Sequence, residues 1–100
     1  MNIDLFLIKC RQVTDNYLNG GVTWDLKSQQ DHIDEEVQEL KDATNSLEEL
    51  EEGWDVIFTV ITYFHLKGFD DYAIKKSMQS TLKKIERRSE KYLVNNERKG

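Results

Sequence analysis

Apolar residues recur every three or four positions along most of the chain, and the breaks in that rhythm divide it into four helices. Ile3, Phe6, Cys10, Val13 and Tyr17 make one stripe on a first helix of about 2–18. Leu5, Leu7 and Ile8 widen the stripe beyond what one partner helix needs. Asn19-Gly20-Gly21 ends this helix, with glycine free to take a left-handed cap. Val22–Lys27 reads as a loop carrying Trp24. Ser28 or Asp31 is the expected cap of a second helix of about 29–44, with Ile33, Val37, Leu40 and Thr44 as its stripe. Asn45 or Ser46 starts a third helix that runs to about Lys67, with Gly68 behind it. Its main face holds Leu47, Leu50, Trp54, Ile57, Phe58 and Ile61. Beyond Asp55 the other faces are apolar too, so this helix is expected to be central. Asp70 or Asp71 caps a fourth helix of about 71–94, which turns Ile74, Met78, Leu82, Ile85 and Tyr92 inward. Residues 95–100 are expected to fray.

The pattern predicts an all-α fold: a compact bundle of four main helices in a single domain, 1–100. With 100 residues, no proline and five glycines, a turn-rich sheet fold is excluded. No stretch is apolar enough to span a membrane. The first residues lack the basic start and small-residue cleavage site of a signal peptide, and Cys10 has no partner for an internal disulfide. A cytoplasmic location is the expectation.

Charge changes the picture. Residues 31–55 carry 11 of the 19 acids and one base, Lys41, for a net −10, whereas residues 75–100 carry nine bases against three acids. Within the acidic window two pairs stand three apart, Glu36 with Glu39 and Glu52 with Asp55. Residues at that spacing share a helix face, so each pair can offer two carboxylates to one cation. Glu36, Glu39 and His32 flank the apolar stripe of the second helix, and Glu35 points away from it. One such pair alone describes a solvated face. Two on successive helices, the second entering an apolar helix, point to a divalent ion, because a charge beside a core needs a partner.

The all-oxygen donor set favours Mg²⁺, with Mn²⁺ as a substitute. Neither pair has the histidine of a di-iron bundle, and one cysteine with two distant histidines does not suit zinc. A carboxylate-held Mg²⁺ suits phosphoryl chemistry, which also needs cations for the outer phosphates. Lys84 and Arg88, four apart on the fourth helix, are candidates; a solvated basic helix partnering the acidic window is the plainer reading. Trp24 and Trp54 could stack on a base, although Trp54 sits in a core stripe, where packing explains it. Cys10 reads as core.

EEVQE at Glu35–Glu39, followed by EEGWD at Glu51–Asp55, resembles the paired EExxE and ExxD motifs of MazG-like all-α nucleoside triphosphate pyrophosphohydrolases. Trp24-Asp25 ahead of the first motif, DVIF after the second and KIERR at Lys84–Arg88 extend the similarity over about Trp24 to Tyr92. The resemblance implies metal ligation by Glu36, Glu39, Glu52 and Asp55, with Glu35 in a lesser catalytic role. It implies phosphate contacts from Lys84 and Arg88. Trp24, in the loop ahead of the acidic helix, and His32, on the face of Glu36 and Glu39, are further candidate substrate contacts read from their positions, with a surface or supporting role for His32 as the alternative. The implied reaction is Mg²⁺-dependent cleavage between the α- and β-phosphates of an NTP or dNTP, giving the monophosphate and pyrophosphate. Assembly as a homodimer or homotetramer is implied as well, and the oversized face of the first helix agrees with it. The chain departs from the family pattern at Trp54, where a small or aliphatic residue is usual, and in a short spacer between the motifs. The rival expectations are a non-enzymatic module binding nucleic acid or protein through its basic fourth helix, and a degenerate relative that binds nucleotide without turning it over.

Overall fold

A computed structural model describes the backbone of residues 1–99 and the side chains of residues 1–95. Its elements are α1 (Ile3–Asn19), α2 (Leu26–Asp42), α3 (Ser46–Leu66) and α4 (Asp71–Lys99), with no strand among the described residues. No described helix is long and apolar enough to cross a membrane. The fourth helix, expected to end near residue 94 with a frayed tail at 95–100, runs on through Lys99; residue 100 lies outside the described residues.

Local chemistry sets the boundaries. Asn2 caps α1 by accepting from the Leu5 amide at 2.9 Å. Gly21, at φ 95°, supplies the left-handed residue that closes its other end. Gly68, at φ 93°, does the same for α3. The start of α2 is corrected from the expected Ser28 or Asp31 to Asp25, whose carboxylate accepts from the Ser28 amide at 2.7 Å. That bond favours the ionised cap and lowers the Asp25 pKa. Asp25 has a free backbone and a short acceptor, so it ends the loop as soon as a cap is possible.

Only three residues, 43–45, separate α2 from α3. Asn45 caps α3 by accepting from the Glu48 amide at 3.0 Å, and Glu48 reaches back to the amide and hydroxyl of Thr44 at 3.0 and 3.1 Å. So tight a link returns α3 antiparallel along α2. Gln29 Nε2 donates to the Thr59 carbonyl at 2.8 Å, and Gln30 reaches the Tyr63 hydroxyl at 3.4 Å. The pairing of α2 with α3 is the most extensive in the molecule, and α3 is central as expected, touching both α2 and α1.

The fourth helix departs from the expected bundle. Its first turns pack on α1, where Arg11 Nη2 donates to Asp71 Oδ1 at 2.8 Å and Lys75 holds Asp4 at 2.9 Å. Of its expected inward stripe only Ile74 is buried; Met78, Leu82, Ile85 and Tyr92 are exposed. The radius of gyration is 17.3 Å, against roughly 13 Å for a compact chain of this length. The molecule is therefore a three-helix body with a projecting arm. The exposed surface is 7769 Å², about 1,900 Å² more than the ~5,900 Å² expected of a folded monomer of this mass.

The core is thin. Leu7, Cys10 and Ile74 are its buried apolar residues, alongside the polar Thr14, Gln29, Thr59, Thr62 and His65. Trp54, expected to pack inside, is 60% exposed and stands edge-to-face with Phe6, at 6.3 Å between ring centres. Leu47, Leu50 and Ile57 on the same face are exposed as well. This face is uncovered in the single chain.

His65 joins three helices at the buried end. Its Nε2 lies 3.2 Å from Asp71 Oδ1, the oxygen that Arg11 also holds. Burial, then the Arg11 charge, lowers the His65 pKa; the Arg11 hydrogen bond lowers that of Asp71. In both cases the unfolded chain binds the proton more readily. The His65 contribution is therefore complete above its unfolded value of 6.5 and is lost as pH falls below it; the Asp71 contribution fades only near and below 3.8. The stability difference between the natural chain and His65→Gln is expected to shrink as thermal melts move from about pH 7 to pH 5. Asp71→Asn at neutral pH is expected to lower Tm by about 4–8 °C, the effect of a lost part-buried pair.

Candidate metal centre

The α2–α3 hairpin brings three of the predicted ligands together. Glu36 and Glu39 lie one turn apart on α2, and Glu52 faces them from α3. One carboxylate oxygen from each lies within 4.8 Å of the other two. Oxygens around a single Mg²⁺ at about 2.1 Å are at most about 4.2 Å apart. Cis oxygens in that octahedral shell are nearer about 3.0 Å apart, so side-chain adjustments of up to about 2 Å would close the set on one ion.

The electrostatics mark the cluster off from a solvated acidic face. Glu36 Oε2 and Glu52 Oε2 are shut away from solvent and have no hydrogen-bond partner. Burial, then the Glu39 charge, raises the pKa of both, and Asp55 adds to the rise in each. A shut-in carboxylate oxygen without a donor is costly. A divalent cation removes that cost at both oxygens at once. The donors are hard carboxylates, so the residues fit Mg²⁺ or Mn²⁺.

The other predicted residues divide around this centre. Asp55 is exposed, and its oxygens fall outside the three-carboxylate set, although its charge reaches Glu36 and Glu52. Solvent, rather than a buried partner, covers it. Glu35 points outward, 71% exposed, as its helical position implies. It still approaches the site through His32, whose Nδ1 lies 3.4 Å from Glu35 Oε2 and whose Nε2 lies 3.5 Å from Glu36 Oε1. An imidazole between two carboxylates restrains the Glu36 side chain from outside the metal position.

Trp24 stands edge-on to Tyr17, with ring centres 5.8 Å apart, and shares a cavity of about 460 Å³ with His32. Lys84 and Arg88 are exposed on the projecting arm and, among the described residues, form no ion pair with the acidic cluster. The same cavity contains Gln29, Thr59 and Thr62, which are buried. Thr59 and Thr62 continue the polar side of α3 that carries Glu52 and Asp55. Gln29 was hidden because α2 starts earlier than its pattern suggests.

Folding raises the pKa of Glu36 and Glu52, so the folded chain keeps protons that the unfolded chain releases. The cluster costs stability above that raised pKa, and the cost fades as pH falls toward the ordinary carboxylate range. Glu52→Gln is therefore expected to melt higher than the natural chain at pH 7 without metal, with the gap narrowing toward pH 5. Millimolar Mg²⁺ or Mn²⁺ should raise the Tm of the natural chain, by about 2.7 kcal/mol of stability at a hundredfold excess over Kd, and leave Glu52→Gln almost unmoved. Differential scanning calorimetry with and without EDTA reads both effects.

Comparisons with protein-family models, with curated proteins and with solved structures found no match to this chain.

Proposed function

We propose that the protein is a Mg²⁺-dependent nucleoside triphosphate pyrophosphohydrolase that works as a homo-oligomer. The observation that carries this reading is the pair of shut-in, partnerless carboxylate oxygens, Glu36 Oε2 and Glu52 Oε2, facing each other across the α2–α3 hairpin with Glu39 beside them. Glu36, Glu39 and Glu52 would hold the ion, with Asp55 next to them. When bound, Mg²⁺ neutralises phosphate charge and lowers the pKa of a coordinated water. The reaction adds water at the α-phosphorus and expels pyrophosphate. His32 and Glu35 keep Glu36 oriented while charge builds nearby.

The outer phosphates need cations that one chain does not bring to the acidic cluster. Lys84 and Arg88 lie on the projecting arm, whose Met78, Leu82 and Ile85 are uncovered. Together with Leu7, Ile61 and Phe64 these residues line an apolar cleft of about 470 Å³. The surplus of exposed surface is of the size that an obligate dimer buries. Both features support a second copy that covers the arm and receives Lys84 and Arg88 at its own carboxylates. The free, buried Cys10 suits a reducing cytoplasm.

One observation favours the rival reading. Lys83, Lys84, Arg87 and Arg88 are exposed along one helix, and such a stripe could follow a nucleic-acid backbone. That reading expects DNA or RNA binding that weakens steeply with salt and ignores EDTA.

Purified protein incubated with a panel of NTPs and dNTPs is expected to release pyrophosphate only with Mg²⁺ or Mn²⁺, and Glu36→Gln or Glu52→Gln to lose at least about 100-fold in kcat/KM. Absence of pyrophosphate from every nucleotide would sink the proposal. Arg88→Ala is expected to raise KM so far that little activity remains at substrate concentrations well below it. Mixing it with Glu52→Gln and allowing subunits to exchange should recover about a quarter of the natural activity for a two-fold dimer, because half the dimers are mixed and each keeps one intact site. No recovery would place Arg88 outside the neighbour's site.

A further inference from the structure

The cavity beside the carboxylates has a polar character of its own. Tyr17, Trp24 and Phe58 supply aromatic surface, and Gln29, Thr59 and Thr62 supply the polar atoms. Gln29 is only 1% exposed. Its Nε2 donates to the Thr59 carbonyl at 2.8 Å. This contact fixes which way the amide points, because an amide oxygen placed there would face another carbonyl oxygen. The free end of Gln29 is therefore Oε1, an acceptor, and it has no partner.

The two threonines add to the same pattern. Thr59 Oγ1 donates to the Asp55 carbonyl at 2.7 Å, and Thr62 Oγ1 donates to the Phe58 carbonyl at 3.0 Å. Each hydroxyl spends its one proton on its own helix, which leaves only lone pairs. A ligand that satisfies Gln29 Oε1 must bring a hydrogen-bond donor, and the aromatic walls favour a flat ring. His32 lines the cavity and also lies 3.5 Å from Glu36, so one molecule can fill the cavity and extend to the carboxylates.

We propose that this cavity takes the base of the nucleotide and that Gln29 Oε1 accepts from an exocyclic amino group. The substrates are then nucleotides of cytosine, adenine or guanine, in preference to uracil or thymine. An amino group carries two N–H bonds and can serve two acceptors. Uracil and thymine offer a single ring N–H flanked by carbonyl oxygens, which repel an acceptor such as Gln29 Oε1. Oε1 is closed to solvent, so the base reaches it as the more exposed rings, Tyr17 and Trp24, give way. The inference rests on the pyrophosphohydrolase reading for its choice of a nucleotide, and on the cavity alone for its choice of an amino-bearing ring.

The test separates the two. In a Trp54→Phe chain Trp24 is the remaining tryptophan, and its fluorescence reports occupancy without metal or turnover. CMP, AMP or GMP is expected to bind at least about tenfold more tightly than UMP. Gln29→Met, close in shape and without the acceptor, should erase that preference while UMP binding stays unchanged, which also shows that the variant is folded. Equal binding of CMP, AMP, GMP and UMP to the Gln29-containing chain overturns the inference, as does a preference that survives Gln29→Met. If the preference holds but no triphosphate releases pyrophosphate, the hydrolase reading falls and the cavity assignment stands. If pyrophosphate is released at equal rates from CTP and UTP, the reverse is true.

Discussion

The structure depends on the antiparallel seam between α2 and α3, and that seam joins surfaces with opposing tendencies. At one end Gln29 is tied to the α3 backbone at Thr59 and excluded from solvent. At the other end Glu36, Glu39 and Glu52 crowd together, and their repulsion works against the contact. Helix pairing is tightened by buried area and hydrogen bonds and loosened by like charge at short range. A hairpin with a three-residue link has little freedom to relieve the strain by separating. The carboxylates stay close because the rest of the seam holds them there, which is the condition for a preorganised cation site.

Much of this was legible in the sequence, for identifiable reasons. Four helices follow from apolar spacing, and the glycine stops at Gly21 and Gly68 follow from the need for positive φ. The grouping of Glu36, Glu39 and Glu52 follows from a spacing of three and a short connection, since both are local properties. The outward direction of Glu35 was equally local. What escaped were properties that depend on neighbours. Trp54 sits in a stripe that looks like core, yet burial needs a partner surface, and the chain leaves it 60% exposed beside Phe6. The fourth helix has an inward pattern with nothing inside to meet it beyond Ile74. Apolar periodicity reports that a face will be covered, not which molecule covers it.

The interior shows a second regularity. Its buried polar groups are spent within the chain: Thr14 on Cys10, Thr59 on Asp55, Thr62 on Phe58, and His65 on Asp71. Gln29 Oε1, Glu36 Oε2, Glu52 Oε2 and His65 Nδ1 are the exceptions among the described residues. Two lie in the carboxylate cluster and one in the adjoining cavity. Three of the four exceptions thus fall in one region of the molecule, and the fourth, His65 Nδ1, lies at the junction of α1, α3 and α4.

The brevity of the link between α2 and α3 also bears on how the chain reaches this state. Segments separated by three residues find each other far sooner than α1 finds α4, because closing a short loop costs little entropy. The hairpin is therefore the most local of the inter-helix pairings, and a chain that forms it first brings its carboxylates together before α1 and α4 dock. Ionic screening, or a divalent ion held between the acids, would then act on the folding barrier as well as on the finished fold. In stopped-flow refolding this would appear as a faster folding limb with Mg²⁺ present.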